Sequence, residues 1–377
     1  MTFAPRIGVV GCGKRSRRHL ESLYRIRDRE YLFADNRLDH PESAYAAHTD
    51  DPPAWVKGVG DLDPSVVALC DPDPDERGLT DDLCAEFGDD PAELDSLSAF
   101  RAEGEYDAVV VASPNDTHVD VALPLLADGT DLLCEKPIAT TLPAHDRFIE
   151  AAADSTGRFY PAYNLRSSPY FRRVRRLVRE GAVGDLGTVT CHEVRGPFAE
   201  GYRYSQERSG GALLEKNCHD FDLFNWYVGA DPVRVAAAGG QHVLDRDATA
   251  LDQASVTVEY ENGVVGTLEL CMYAPYDQRG RRYELRGDDG LLRSPDEQGV
   301  IDRYTRDGRE RISVDATGPH GGADLRQMVR FLRTLRGEAD PPADLVAAKK
   351  AAAVALAGER AVETGESVHI TDDYDIE

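Results

Sequence analysis

Near-continuous apolar runs separated by helix-prone stretches organise the first 157 residues. Ile7-Gly8-Val9-Val10, Val66-Val67-Ala68-Leu69-Cys70, Ala108-Val109-Val110-Val111-Ala112 and Asp131-Leu132-Leu133-Cys134 all have strand length. Strands covered on both faces read this way, and their alternation with helices, such as Val121 to Leu126, predicts a parallel, doubly wound sheet. After residue 157 the pattern changes. Helical stretches (Pro169 to Arg179, Leu213 to Tyr227) alternate with β-rich runs over Gly187 to His192, Ala254 to Tyr260 and Val264 to Cys271. The period-two alternation of Ala254-Ser255-Val256-Thr257-Val258-Glu259 predicts an antiparallel sheet with one covered face. Helices over Leu325 to Leu335 and Leu345 to Val362 complete an α+β domain. The expected fold class is α/β, with a doubly wound domain over residues 1–157 and an α+β domain over 158–377. Residues 27–63, acidic and proline-bearing, read as an insertion into the first domain.

Candidate chemistry sits where the predicted strands end. Gly11-Cys12-Gly13-Lys14-Arg15-Ser16 follows the first strand and opens a helix through His19 and Leu20. This is G-x-G-x-x-G with Ser16 in the third place. The first glycine allows the tight turn, the second lets backbone approach a pyrophosphate, and the helix N-terminus points N–H donors at the anion. Asp71 ends the second strand, where an acid can accept both ribose hydroxyls and repel a 2′-phosphate. Some sixty residues separate it from the loop, rather than the usual ~20, which the insertion explains. Ser113-Pro114-Asn115-Asp116-Thr117-His118 and Glu135-Lys136-Pro137 follow the next two strands. In a doubly wound sheet, ligands bind outside the carboxyl ends of the strands.

A second cluster lies in Gly210 to Asp222, which reads GGALLEKNCHDFD. On an α-helix, positions four apart share a face, so Glu215 and His219 point the same way, with Asp222 three further on. So many titratable groups on an apolar helix suggest a wet cleft; a helix end whose His and Asp cap each other is the alternative. Lys136 and His219 are expected to meet in one cleft.

Composition narrows the setting. The net charge is -25, from 68 acids against 43 bases, and only six of the bases are lysines. Such a surface is similar to that of proteins held in molar salt, where the Debye length falls to about 3 Å. A hydrophobic content of 41% argues against a disordered acidic chain. The charge also argues against nucleic acid as a partner, and the Arg172-Arg173-Val174-Arg175-Arg176 run reads as a solvated helix face. Seven scattered cysteines without C-x-x-C spacing read as free thiols of a reducing cytosol, not as a disulfide framework or a metal site. A strand within a few residues of the first Met leaves no room for a signal peptide, and no apolar run reaches the ~20 residues of a membrane span. The expected protein is soluble and cytoplasmic, binding neither membrane nor metal.

Taken in order, the glycine loop to His19, Asp71-Pro72-Asp73, Ser113 to His118, Glu135-Lys136-Pro137, Asn164-Leu165-Arg166, Gly210 to Asp222 and His320-Gly321-Gly322 resemble the Gfo/Idh/MocA oxidoreductases. This family includes glucose–fructose oxidoreductase and inositol dehydrogenase, and the resemblance runs from Ile7 to about Ile370. It implies an N-terminal Rossmann domain and a C-terminal domain with a large, mostly antiparallel open sheet, through which the chain forms a homo-oligomer, dimer or tetramer. It implies hydride transfer between NAD, with NADP as the alternative, and a sugar, cyclitol or related polyol. The family's catalytic lysine and histidine fall on Lys136 and His219. Its aspartate four residues before the histidine falls on Glu215, one methylene longer and the third catalytic candidate, and its usual glycine at 217 is Asn217. The cofactor contacts fall on Gly11, Gly13, Lys14, Arg15, Ser16, Asp71, Ser113, Asn115, His118, Glu135, Lys136 and Asn164. The substrate contacts fall on Lys136, Arg166, Glu215, Lys216, His219 and His320. A cis Lys136–Pro137 bond is implied as well.

These residue types suit alcohol oxidation. Histidine, with a reference pKa of about 6.5, can take the hydroxyl proton near neutral pH, and a fixed lysine steadies charge on the reacting oxygen. Two other classes fit parts of the pattern. A glycosidase that retains NAD and oxidises transiently would turn over sugar without net NADH change. A cofactor-binding sensor would have no use for both Lys136 and His219.

The charge generates a test. At about 0.1 M salt the Debye length of ~10 Å leaves neighbouring carboxylates in repulsion, whereas molar salt removes most of it. Thermal unfolding across potassium chloride concentrations is expected to show a melting temperature that rises from low to molar salt; a flat or falling curve refutes the reading.

Overall fold

The computed structural model describes residues 2–28, 59–198, 201–243, 249–275, 280–294, 299–314, 316 and 319–377. Most of the expected insertion, residues 29–58, lies outside them. The chain runs through β1 (Arg6–Val10), α1 (Lys14–Arg27), β2 (Ser65–Cys70), α2 (Pro74–Glu86), β3 (Ala92–Leu94), α3 (Leu97–Glu103), β4 (Ala108–Val111), α4 (His118–Ala127), β5 (Asp131–Cys134), α5 (Leu142–Asp154) and β6 (Phe159–Pro161). It continues through α6 (Pro169–Arg179), β7 (Leu186–Val194), α7 (Cys218–Val228), β8 (Pro232–Gly240), β9 (Gln253–Tyr260), β10 (Val265–Cys271), β11 (Gly280–Gly287), β12 (Gly290–Arg293), β13 (Val300–Thr305) and β14 (Gly308–Ser313). Helices α8 (Ala323–Leu335) and α9 (Leu345–Thr364) and strand β15 (Val368–His369) close it. Two compact units result, one of Met1–Ile138, Arg147–Ser168 and Thr317–Leu345, the other of Ala139–Asp146, Pro169–Ala316 and Val346–Glu377.

The first unit holds a six-stranded sheet in the order β3-β2-β1-β4-β5-β6. Its pairings are all parallel. This is the expected doubly wound arrangement. Strand order reverses between β1 and β4, the switch point where such sheets bind ligands. Ile7, Val9, Leu69, Val110 and Leu133 are buried in one core with Leu20, Leu23 and Tyr24 of α1. Met328, Val329, Phe331 and Leu332 of α8 join that core, and Tyr160 of β6 meets Phe331 edge-on at 5.7 Å. The first unit therefore takes in β6 and α8, both beyond residue 157. Neither was legible as part of it: β6 is three residues long, too short for a period, and α8 comes late in the chain.

The second unit is built on a nine-stranded sheet, β14-β13-β12-β11-β7-β10-β9-β8-β15. It is mostly antiparallel, with β10 running parallel to β7. The expected alternation holds, since Ala254, Val256, Val258 and Tyr260 are buried on one face of β9. Helix α7 lies against this covered face. Gly266 of β10 makes room for it, because a Cβ there would stand 2.8 Å from the Phe224 ring. Tyr283 of β11 packs edge-on against Phe171, Phe224 and Tyr227. In α6 the apolar residues Tyr170, Phe171, Val174 and Leu177 are buried, while Arg172 and Arg176 are exposed, as a solvated arginine face requires.

All seven cysteines are free thiols, and six are buried. Among the described residues no helix is long and apolar enough to cross a membrane, and no cluster of His, Cys, Asp and Glu could hold a metal ion.

Candidate active site

The glycine loop leaves β1 at Gly11, whose φ of +87° is a conformation that only glycine adopts cheaply. A Cβ there would also stand 2.4 Å from the Ser113 amide nitrogen, so the loop is pressed against the end of β4. Gly13 caps α1 in extended backbone, and a Cβ on it would meet nothing within 4 Å. Among the described residues no side chain caps α1, and its first turn carries no acid. Open space before uncapped N–H groups is what an anionic phosphate requires, so these residues fit the pyrophosphate of a dinucleotide. Ser16 is buried and donates to the Gly13 carbonyl at 2.7 Å, so this small third residue closes the turn itself. Lys14 is exposed on the first turn.

Asp71 sits where β2 ends, directly beside the loop. One carboxylate oxygen accepts the Cys12 amide at 2.8 Å and the other the Asp73 amide at 2.9 Å. The sixty-residue separation in sequence is thus compatible with the neighbouring-strand position that a ribose-binding acid occupies. Arg77 donates to the Asp71 backbone carbonyl and lies 3.7 Å from Glu93.

A charged cluster lies at the carboxyl side of the same sheet. Glu135 is buried and accepts Arg15 Nε at 2.6 Å, with His19 Nε2 at 2.7 Å from the same oxygen. The other guanidinium edge of Arg15 reaches Asp324 of α8 at 3.1 Å. Asp324 also accepts from Asn164 Nδ2 at 2.7 Å and contacts His320 Nδ1 at 2.7 Å. Burial disfavours ionisation of Glu135, but Arg15, His19 and Lys136 outweigh it and hold the carboxyl well below the usual range. For Asp324, burial is outweighed by Arg15, His320 and Asn164, again in the downward direction. Arg15, expected among the cofactor contacts, is thus engaged by two carboxylates. His320 holds a left-handed φ of 51°, followed by Gly321 and Gly322 at 63° and 73°, a backbone run that a non-glycine residue rarely enters.

The Lys136–Pro137 peptide is cis, as expected, and Lys136 is half-buried. His118 ties two strand ends together, with Nδ1 at 2.8 Å from the Pro137 carbonyl and Nε2 at 2.9 Å from that of Ser113. The Ser113 hydroxyl accepts from Thr117 at 2.7 Å, and Asn115 is buried beside it in the sequence. Arg166 is buried and donates to the Pro342 carbonyl at 2.8 Å. Asn164 Oδ1 is a buried acceptor without a hydrogen-bond partner among the described residues.

The second unit carries the remaining candidates. Residues Leu213–Asn217 form a π-helical turn, and α7 begins only at Cys218. The expected continuous α-helix is corrected here: i→i+5 bonding widens the turn, so four-residue spacing no longer fixes the relation of Glu215 to His219. Glu215 is buried and paired with Arg203 Nε at 3.1 Å. Lys216 Nζ stands 5.1 Å from the centre of the Phe198 ring, and His219 is half-buried. Asn217 donates to Asp220 at 2.9 Å. Asp220 also faces Arg281 Nε at 2.9 Å, and Arg281 in turn meets Glu193 at 2.8 Å.

Sequence reasoning missed Asp324 and Arg203 and gave His19 no role. His-Gly-Gly-Ala-Asp, with the acid four residues after His320, was a usable signal for Asp324. Nothing in the sequence marked Arg203.

Residues 5–163 match the NAD-binding Rossmann-fold domain of the Gfo/Idh/MocA oxidoreductase family, and residues 175–370 match its C-terminal alpha/beta domain. Inositol 2-dehydrogenase of Rhizobium meliloti is 29% identical over 259 residues, which is 67% of this chain and 74% of that protein. 1,5-Anhydro-D-fructose reductase of Ensifer adhaerens is 23% identical over 283 residues, 73% of this chain and 83% of that one. The crystal structure of the WlbA dehydrogenase from Bordetella pertussis, in complex with NADH and UDP-GlcNAcA, superposes with a TM-score of 0.75 at 21% identity, covering 98% of this chain and 99% of that one.

The Arg15 cluster generates a test. Breaking a buried ion pair by removing one partner costs roughly 3–5 kcal/mol, because the other charge is left uncompensated. Arg15→Ala is expected to lose stability of that order at neutral pH in denaturant titrations. Glu135 and Asp324 have depressed values, so their contribution is present above the ordinary carboxylate range of about 4 and disappears as pH falls through their folded values. The gap between variant and wild type should therefore narrow below about pH 4; a gap that stays constant, or is absent at pH 7, refutes the assignment.

Proposed function

The chain belongs to the Gfo/Idh/MocA oxidoreductase family, and from that premise we propose that it oxidises or reduces one carbon of a sugar, cyclitol or related polyol. It is an NAD-binding enzyme of a family of dehydrogenases and reductases that act on CH–OH groups. The observation that carries the dehydrogenase reading is a placement: the glycine loop, Asp71, Ser113 to His118 and Lys136 follow β1, β2, β4 and β5 of one parallel sheet.

In this reading the open N-terminus of α1 and Gly13 receive the pyrophosphate, and Asp71 accepts the adenosine ribose. Ser113, Asn115, His118, Glu135 and Asn164 shape the remainder of the cofactor site, with Lys14 and Arg15 at the start of α1. When bound, NAD supplies the hydride acceptor for the substrate carbon. His219 takes the hydroxyl proton of the alcohol, and Lys136 steadies negative charge on the same oxygen as the carbonyl forms. Glu215, held by Arg203, is a substrate ligand whose extra methylene, compared with aspartate, marks a distinct substrate subgroup. Arg166, Lys216 and His320 complete the substrate contacts. The names of the relatives, inositol 2-dehydrogenase and 1,5-anhydro-D-fructose reductase, support cyclitols and sugars as the class to test. The same reading takes the protein as a cytoplasmic, salt-adapted homo-oligomer joined through its second sheet.

A cofactor-coupled screen of sugars and cyclitols in molar salt tests the substrate class, with absence of any turnover counting against it. On the substrate found, Lys136→Met and His219→Asn are each expected to lower kcat by about 10²–10⁴-fold, the usual worth of a placed acid or base, while NAD affinity is kept. Near-wild-type kcat in either variant removes that residue from the mechanism.

Cofactor choice is a separate test. Asp71 would face a 2′-phosphate with its own charge, so kcat/KM is expected to favour NAD over NADP, and Asp71→Ser should narrow the preference. A wild-type preference for NADP overturns the role given to Asp71.

A further inference from the structure

The turn that carries Glu215 and Lys216 and leads into α7 with His219 starts from two left-handed glycines, Gly210 at φ 80° and Gly211 at φ 98°. It starts against α9. Gly358 of that helix comes so close that a Cβ on it would stand 2.8 Å from Leu213 Cδ1. The next residue, Glu359, is buried, and its Oε1 accepts the Leu213 amide at 2.8 Å. The Ala212 amide also favours the ionised form of this carboxyl group. A Cβ on Gly211 would stand 2.3 Å from Oε1, so the carboxyl fills the space that the glycine leaves open. Amides at the start of a helical segment have no partner within it, and here a side chain from 146 residues away supplies one.

We propose that Glu359 is a positioning residue: its carboxyl anchors the start of the Leu213–Asn217 turn and so sets where Glu215, Lys216 and His219 stand. The inference rests on the functional reading of His219 given above. A surface helix would be capped locally by Ser, Thr, Asp or Asn; this one is held by a buried acid from another helix, which ties the candidate catalytic turn to α9.

The anchor is also pH-sensitive. Burial pushes the Glu359 carboxyl up to about 7, the two amides opposing this only in part. No charged side chain contributes among the described residues. On its own helix Arg360 reaches the Ile376 carbonyl at 3.4 Å, and on the turn Glu215 is taken by Arg203 at 3.1 Å. Because the folded value lies above the ordinary one, the stabilising effect is full below the ordinary carboxylate value of about 4.3 and is lost as pH rises through about 7.

The test uses the full chain and two variants, Glu359→Ala and Glu359→Gln. Hydrogen exchange of residues 212–218 is followed as protection factors from pH 6 to 8, with NAD affinity and turnover of NAD with myo-inositol as probe substrate. Glu359→Ala is expected to lower protection of this segment, and kcat, by about tenfold or more, with protection of the first unit and NAD affinity unchanged. Glu359→Gln, which keeps a carbonyl acceptor, should restore protection and remove the pH dependence of the segment. Unchanged protection in Glu359→Ala, or wild-type pH dependence retained in Glu359→Gln, overturns the proposal. If the alanine variant does not fold, the glutamine variant alone decides. If myo-inositol is not turned over, the exchange data decide. His219→Ala separates the two readings: turnover that survives it defeats the role of His219 and leaves the exchange result on Glu359 standing.

Discussion

Arg15 and the two acids it joins, Glu135 and Asp324, hold together the part of the first unit where the candidate residues gather. Both acids are nearly excluded from water, and an ionised carboxylate in that setting is costly unless it is paired and hydrogen-bonded. One guanidinium answers both, since its planar fork presents donors in two directions. Glu135 directly precedes Lys136 in the chain, and Asp324 holds Asn164 and His320. Without the arginine, Glu135 would be left to His19 and Lys136, and Asp324 to Asn164 and His320. The cluster therefore does more than stabilise: it sets the places of groups drawn from α1, β5, the segment after β6 and α8.

The second unit solves the same problem with the same residue type. Arg281 lies between Glu193 and Asp220 at 2.8 and 2.9 Å, beneath the helix that carries His219. Arg203 does likewise for the buried Glu215. This gives physical content to the bias toward arginine in a chain with 68 acids. Where an acid must be buried and satisfied, a guanidinium offers several fixed donors and an ammonium offers one compact charge. Lysine is used more sparingly, as where Lys349 lies 2.7 Å from Asp146 and 3.1 Å from Asp375.

Much of the molecule was legible in advance because its signals are local. The apolar strands before Gly11, Asp71, Ser113 and Glu135 announced a doubly wound sheet, and those four positions do lie where β1, β2, β4 and β5 end. Period-two alternation in β9 announced the covered face of the second sheet. What failed were elements whose identity depends on partners. Three-residue strands such as β3 and β6 have no period to read. The π turn at Leu213–Asn217 replaces the expected α-helical start because the chain there is shaped by Gly210, Gly211 and the carboxyl of Glu359, and the last of these lies far along the sequence.

The division of labour follows the range of the forces. Backbone sterics, apolar periodicity and turn chemistry act over a few residues, so the sequence by itself determined the strands, the glycine loop, the residue types at each strand end and the family they resemble. Charge compensation acts between whatever groups the fold brings within about 3 Å. Only the tertiary structure decided that Arg15 belongs to Glu135 and Asp324, that Arg203 belongs to Glu215, and that Glu359 caps the turn before His219. A buried charge requires a partner wherever one can be placed, and sequence distance has no part in that requirement.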